Sequence, residues 1–195
     1  MKPLSRIWPP SPSALSKKLL CTAFVAAPFD PENAIRFHQL HAVAAMRTIS
    51  RHLRAGFKLD SVEKPGRGCR TDLVFTKPDV GIRLAEVKSS NKIREIHKLQ
   101  AALYENNRYD QIVVSNKHQD ILLSPEYVME VRARAHRVRE FLAQHPDKAA
   151  VTYTPNNEIC RFCINESCPF IGANKEGEVD PPPDLPFFAI YDSDL

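Results

Sequence analysis

Apolar residues recur along this chain with two different periods, and the switches between them predict most of the fold. Over residues 34–55 the spacing is helical and stops at Gly56, a residue type favoured just past a helix end, so one long helix is expected. Residues 57–63, 71–76 and 82–88 read as strands, separated by Lys64-Pro65-Gly66-Arg67-Gly68 and by Lys77-Pro78-Asp79-Val80-Gly81. Helical spacing returns at Ile93, Ile96, Leu99 and Leu103, which with Ser89-Ser90-Asn91 as a cap predicts a helix over 92–106. Residues 111–115 read as a short buried strand, 125–144 as a long basic amphipathic helix and 151–153 as a last strand. Residues 1–30 are punctuated by proline, with a helical turn expected over 13–20. A crossover after a meander implies an α/β layout, a mixed central sheet flanked by helices.

Composition narrows the class. At 195 residues, 43% hydrophobic and 26% charged, the chain suits a single folded domain, taken as residues 1–171, followed by an acidic, proline-rich tail over 172–195. From residue 174 one lysine faces six acids, a net of −5, which leaves +9 on residues 1–173 of the total of +4. A body that basic favours a polyanionic partner. Lys17-Lys18 followed by the apolar run to Ala27 is too short for a membrane span and lies behind Pro9, Pro10 and Pro12, so neither a leader nor a membrane anchor is expected. Five cysteines, four of them assignable to a metal, point to a reducing, cytoplasmic setting. In the tail, Leu185-Pro186-Phe187-Phe188-Ala189-Ile190-Tyr191 is apolar enough to pack as a final strand, to dock a partner protein or to fold over a basic groove.

The chemistry concentrates in two places. Asp72 lies in one predicted strand and Glu86-Val87-Lys88 in the next, where Glu86 and Lys88 share a face because strand side chains repeat every second residue. Two carboxylates can hold Mg²⁺ or Mn²⁺, with the Val87 carbonyl completing a hard oxygen shell, and Lys88 can orient a water or offset charge on a phosphorane-like transition state. Gln100 and Tyr104, four apart on the following helix, can lie over that site and hold Lys88 and a phosphate by hydrogen bonding. Further on, Cys160, Cys163 and Cys168 bring three thiolates within reach of one centre. Cys69 directly precedes the strand of Asp72, where the active site should fix the turn, so Cys21 is the preferred fourth ligand. Such a set suits an iron–sulfur cluster and equally structural zinc.

Asp72, Glu86-Val87-Lys88 and Gln100-x3-Tyr104 together resemble the RecB-like branch of the PD-(D/E)XK nuclease superfamily, with Thr71 standing where the proline of that name would be. The resemblance implies a metal-binding histidine on the preceding helix, where His41 is preferred over His38 because Ala44, Ala45 and Ile49 turn its face inward. One amino-terminal cysteine, a RecB-like core and three carboxy-terminal cysteines are similar to the CRISPR-associated RecB-type exonuclease family, the fourth of the Cas families, over about residues 13–170. Thr22-Ala23-Phe24 replaces the Pro-Arg and aromatic residues usual after that family's first cysteine. The resemblance implies a restriction-endonuclease-like fold and a 4Fe-4S cluster on Cys21, Cys160, Cys163 and Cys168 that ties the chain ends together. It also implies a metal-dependent exonuclease on single-stranded DNA, trimming spacers beside the CRISPR integrase proteins. Self-association into a homo-oligomer is left open. Basic residues offered for phosphate contact are Arg132, Arg134, Arg137 and Arg139 on the long helix and Lys92, Arg94 and Lys98 on the shorter one. The rivals are a RecB-like repair or recombination nuclease and a non-catalytic nucleic-acid-binding module.

Overall fold

The computed structural model describes residues 11–26, 31–66, 69–104 and 109–170, with the side chains of 31–34, 64–66, 69, 70 and 161 outside that description. The tail over 172–195, with its apolar run, therefore lies outside the described residues. A short helix α1 (Pro12–Leu20) starts at Ser11, whose hydroxyl accepts from the Ala14 N–H, with Pro12 in the first turn where its missing N–H is harmless. The long helix α2 (Pro31–Arg54) ends at Gly56, which takes φ +83°, the left-handed geometry glycine adopts without strain.

Five strands form one sheet in the order β1-β2-β3-β4-β5. β1 (Lys58–Gly66), β2 (Cys69–Lys77) and β3 (Gly81–Lys88) make an antiparallel meander. β4 (Gln111–Asn116) returns parallel to β3 after the helix α3 (Glu95–Ala102), and β5 (Asp120–Leu122) turns back antiparallel. The layout is thus α/β with a mixed sheet flanked by helices. Asp110 fixes where β3 and β4 begin: its backbone N–H donates to the Ile82 carbonyl at 2.8 Å and its carboxylate accepts from the Ile82 N–H at 2.7 Å. A Cβ on Gly81 would meet that carboxylate at 2.1 Å, so glycine is needed there.

Strand alternation divides the core in two. Leu84, Ile112 and Val114 point to one face, covered by α1 through Leu15 and Leu19, by α3 through Leu99, and by α4 (Pro125–Gln144) through Val131 and Val138. Leu73, Phe75, Ala85 and Val87 point to the other, where Ala44 of α2 meets them. Among the described residues, no helix is long and apolar enough to cross a membrane.

Three local expectations differ from what is observed, and β5 was not expected. β1 runs to Gly66 rather than to residue 63, because Lys64, Pro65 and Gly66 keep pairing with Thr71, Arg70 and Cys69. α3 starts at Glu95 rather than at residue 92, since its amino-terminal N–H groups find partners in His97 and Glu158 and not in Ser89-Ser90-Asn91. Residues 151–153 form no strand: α5 (Pro146–Val151) extends through Val151, started by Pro146 and Asp147, and Thr152 follows as its carboxy-terminal cap. β5 escapes the sequence pattern because three residues are too few to show alternation.

Candidate active site and cysteine site

The β2–β3 ladder ends at the pair Leu73 and Ala85. Just beyond, the Asp72 carboxylate continues the connection with its side chain, accepting the Val87 N–H at 2.7 Å. Two residues apart on β3, Glu86 and Lys88 meet at 2.5 Å between Oε1 and Nζ. Helix α3 then supplies Gln100, whose Oε1 accepts from Lys88 Nζ at 2.9 Å while its Nε2 donates to Glu86 Oε1 at 2.7 Å. Tyr104, just past the helix end, donates its hydroxyl to Glu86 Oε2 at 2.7 Å. From α2, His41 Nε2 lies 3.4 Å from Asp72 Oδ2. Asp72, Glu86, Lys88, Gln100, Tyr104, His41 and Val87 thus line one pocket of about 1020 Å³, its open mouth included. His38 lines it too, one turn earlier on α2, but is not a partner of either carboxylate. Tyr104, expected to help hold Lys88 and a phosphate, instead bonds Glu86.

Burial governs the electrostatics of this pocket. Glu86 is 2% exposed, and burial pushes its carboxyl above the ordinary range; the Asp72 charge adds to the shift and Lys88 opposes it. Three donors converge on its two oxygens, an arrangement that favours the ionised form and limits the shift. The Tyr104 hydroxyl is pushed up, first by burial and then by the Glu86 charge, so it remains a neutral donor. His41 is raised chiefly by its hydrogen bond to Asp72. A further acid, Glu63, lines the same pocket from β1 in a left-handed backbone conformation, φ 48°. In the sequence it is only the last residue of the strand expected over 57–63, and its unusual φ is visible only in three dimensions.

The second site joins the two ends of the described chain. Cys21, the residue after α1, lines one cavity with Cys160, Cys163 and Cys168, walled by apolar and aromatic side chains including Phe24, Tyr153, Ile159 and Phe170. All four are free thiols. Backbone N–H groups point at three of the sulfurs: Thr154 to Cys21 at 3.4 Å, Val25 to Cys163 at 3.4 Å and Asn156 to Cys160 at 3.2 Å. Burial raises the Cys21 and Cys160 thiols, with neighbouring cysteines adding to the shift. The chain is also stitched here without the sulfurs, by Ile164 N–H to the Val25 carbonyl at 3.0 Å and by the Asn165 amide to the Ala23 carbonyl at 2.8 Å. Cys69 opens β2 opposite Gly66, and its side chain is outside the described residues.

One residue connects the sites. Glu158, two positions before Cys160, accepts from the Glu95 N–H at 3.1 Å and the Ile96 N–H at 2.9 Å, capping α3 from 62 and 63 residues away in sequence. Asn156 holds that loop, its side chain accepting from Glu158 N–H at 2.9 Å and its carbonyl from Cys160 N–H at 2.9 Å. Of the arginines offered for phosphate contact, Arg132 donates to the carbonyls of Ala102 and Tyr104 at 3.0 and 2.8 Å, and Arg134 to that of Leu19. Both brace helix carboxy-termini. Lys98 pairs with Glu95 at 3.2 Å.

As it stands, neither site is a closed shell. Among the described residues, no group of three or more His, Cys, Asp or Glu is gathered so as to hold a metal ion. The Asp72 and Glu86 oxygens face N–H, ammonium and hydroxyl donors, and the four thiols stand around a cavity.

No family model matches the chain, and no curated protein matches it. Among solved structures it is similar to a protein of unknown function from Silicibacter pomeroyi, at 18% identity over 53% of this chain and 91% of the other, with a TM-score of 0.25.

Proposed function

We propose that this protein is a divalent-metal-dependent DNase of the RecB type, with a restriction-endonuclease-like core, that trims single-stranded ends. We also propose that Cys21, Cys160, Cys163 and Cys168 carry a 4Fe-4S cluster. The observation that carries the catalytic reading is the closed hydrogen-bond circuit Glu86–Lys88–Gln100, with Tyr104 on the remaining oxygen of Glu86 and Asp72 beside it. A surface alternation of charges would not bury an acid to 2% exposure and give it three donors.

Carboxylate oxygens and an imidazole are a fitting donor set for Mn²⁺, and the oxygens alone for Mg²⁺. Asp72 and Glu86 would hold the cation, with His41 and the Val87 carbonyl beside them, and a bound cation supplies an activated water and charge neutralisation at phosphorus. Lys88, held by Gln100 and Glu86, would offset the negative charge that develops on the phosphate. Tyr104 holds the second oxygen of Glu86 while Lys88 and Gln100 hold the first, so the carboxylate is fixed in one orientation. For the cluster, the fit lies in four thiols around one apolar-walled cavity and in three backbone N–H donors aimed at sulfur, which stabilise thiolates.

Digestion of single strands labelled at either end, in Mg²⁺ or Mn²⁺, tests the catalysis. Wild type should shorten them, and Glu86→Ala should lower the rate roughly 10²- to 10³-fold. Undiminished cleavage by Glu86→Ala would overturn the assignment. Spacer trimming beside a CRISPR integrase is the setting the sequence resemblance carries, and the neighbouring genes test it against DNA repair.

A further inference from the structure

A second groove opens beside the catalytic pocket, and the two share Lys88 and Gln100. Its space is about 1220 Å³, open mouth included, between α1, the start of α3 and the 3₁₀ turn Cys160–Phe162 of the cysteine loop. Lys17 lines it from α1 and Arg94 from the start of α3, and neither pairs with an acid among the described residues. Glu158, the one acid on its described wall, has both oxygens engaged by the Glu95 and Ile96 N–H groups. His97 adds no charge: burial, then Lys88 and Arg94, hold it down at about 4. Its Nδ1 accepts the Arg94 N–H at 3.2 Å, which leaves Nε2 to carry a hydrogen. Phe162, in the turn between two of the cysteines, is 56% exposed at the rim.

We propose that this groove is the track along which a single DNA strand reaches the catalytic pocket, with Lys17 and Arg94 holding its phosphates and Phe162 stacking on a base. The inference rests on the nuclease reading and adds the path of the strand and the residues that hold it. A polyanion held at Lys17 and Arg94 meets Lys88 next, because the groove and the pocket share that residue. The aromatic selects the strand form: an exposed ring can cover a base only where the base is unstacked, and in a duplex the base faces are already occupied.

Fluorescence anisotropy with a labelled oligothymidylate of about 16 nucleotides, the upper end of site sizes for such grooves, tests the track. Phe162→Ala should bind the single strand roughly tenfold more weakly while its affinity for the same sequence as a duplex is unaltered. Lys17→Ala and Arg94→Ala should each weaken binding and reduce the salt dependence of log K by about one unit of slope. With bis(p-nitrophenyl) phosphate in Mn²⁺ as a substrate too small to reach from the pocket to Lys17, Arg94 and Phe162, the loss of rate in these variants should be at least tenfold smaller than with the oligonucleotide. Melting temperature checks folding, and Phe162→Leu, which keeps the apolar bulk without the ring, replaces Phe162→Ala if that variant is unstable. Single-strand affinity undiminished in the Lys17, Arg94 and Phe162 variants would overturn the track, as would equal losses on duplex and single strand. Wild type that cleaves neither bis(p-nitrophenyl) phosphate nor the oligonucleotide in Mn²⁺ would instead overturn the nuclease reading, and the anisotropy would still decide whether the groove holds a strand.

Discussion

At the scale of single residues, the pocket is a contest over the ionisation of Glu86. Burial raises its pKa from the reference of 4.5, so in the metal-free protein the folded state binds a proton that the unfolded state releases. That contribution to stability is present at low pH and is lost as pH rises through the shifted value. Tyr104 works in the opposite sense by donating to the ionised form. Tyr104→Phe should therefore raise the Glu86 pKa further and move the acid limb of a pH–kcat/KM profile for Mn²⁺-dependent cleavage to higher pH, whereas an unmoved limb would show that the hydroxyl does not support the charged state. His41 has linkage of the same sign as Glu86: its folded pKa is raised above the reference of 6.5 by Asp72, so its contribution is present below that value and fades as pH rises through the folded pKa. Protonated, it neither ligates a cation nor leaves the Asp72 charge free. Apparent Mn²⁺ affinity measured by calorimetry should accordingly fall steeply with pH near and below neutrality in wild type and less steeply in His41→Ala.

At the scale of elements, α3 is the piece that assembles the site, since Gln100 and Tyr104 reach Glu86 and Lys88 from one helix of eight residues and the turn after it. So short a helix is marginal by itself, and its position depends on outside support. Glu158 holds its first turn, Arg132 the carbonyls at its end, and the Tyr127 hydroxyl of α4 donates to Glu95 at 2.5 Å. Removing the cap with Glu158→Ala should cost about 1 kcal/mol of stability, seen in chemical denaturation, and should lower kcat more than it raises KM, because the displaced groups position the chemistry. The residues of the Glu86 circuit were legible from sequence because strand alternation and helical spacing are local rules, which bring Glu86 to the face of Lys88 and Gln100 to the face of Tyr104. Glu158, Glu63 and β5 were not. A cap that acts across more than 60 residues leaves no periodic trace, an isolated left-handed residue has no signature unless it is glycine, and three strand residues cannot display a pattern.

At the scale of the molecule, the chain closes on itself at the cysteine site, where the end of α1 meets the loop after α5. A 4Fe-4S cluster there predicts broad visible absorption and stoichiometric iron after anaerobic purification. Changing Cys21, Cys160, Cys163 or Cys168 to Ser should abolish the absorption, and Cys69→Ser should keep it; zinc without iron would move the assignment to a structural zinc site. Because Val25, Ala23 and Thr22 are also hydrogen-bonded to Ile164, Asn165 and Thr152, the Cys21→Ser protein should still fold, with a lowered melting temperature. The mixed sheet was legible because a meander followed by a helical crossover admits few topologies. The contact between the cysteine loop and α3 was not, since only the folded backbone brings residue 158 to residue 95. That contact gives the amides of Glu95 and Ile96 an unusual clock. The first N–H groups of a helix ordinarily exchange their hydrogens with solvent as fast as the end frays, but these two are held by a carboxylate anchored in the cysteine loop. Their deuterium uptake should follow the opening of that loop and accelerate in the Cys160→Ser protein, so that two backbone hydrogens in the first turn of α3 report how well the cysteine loop is fastened.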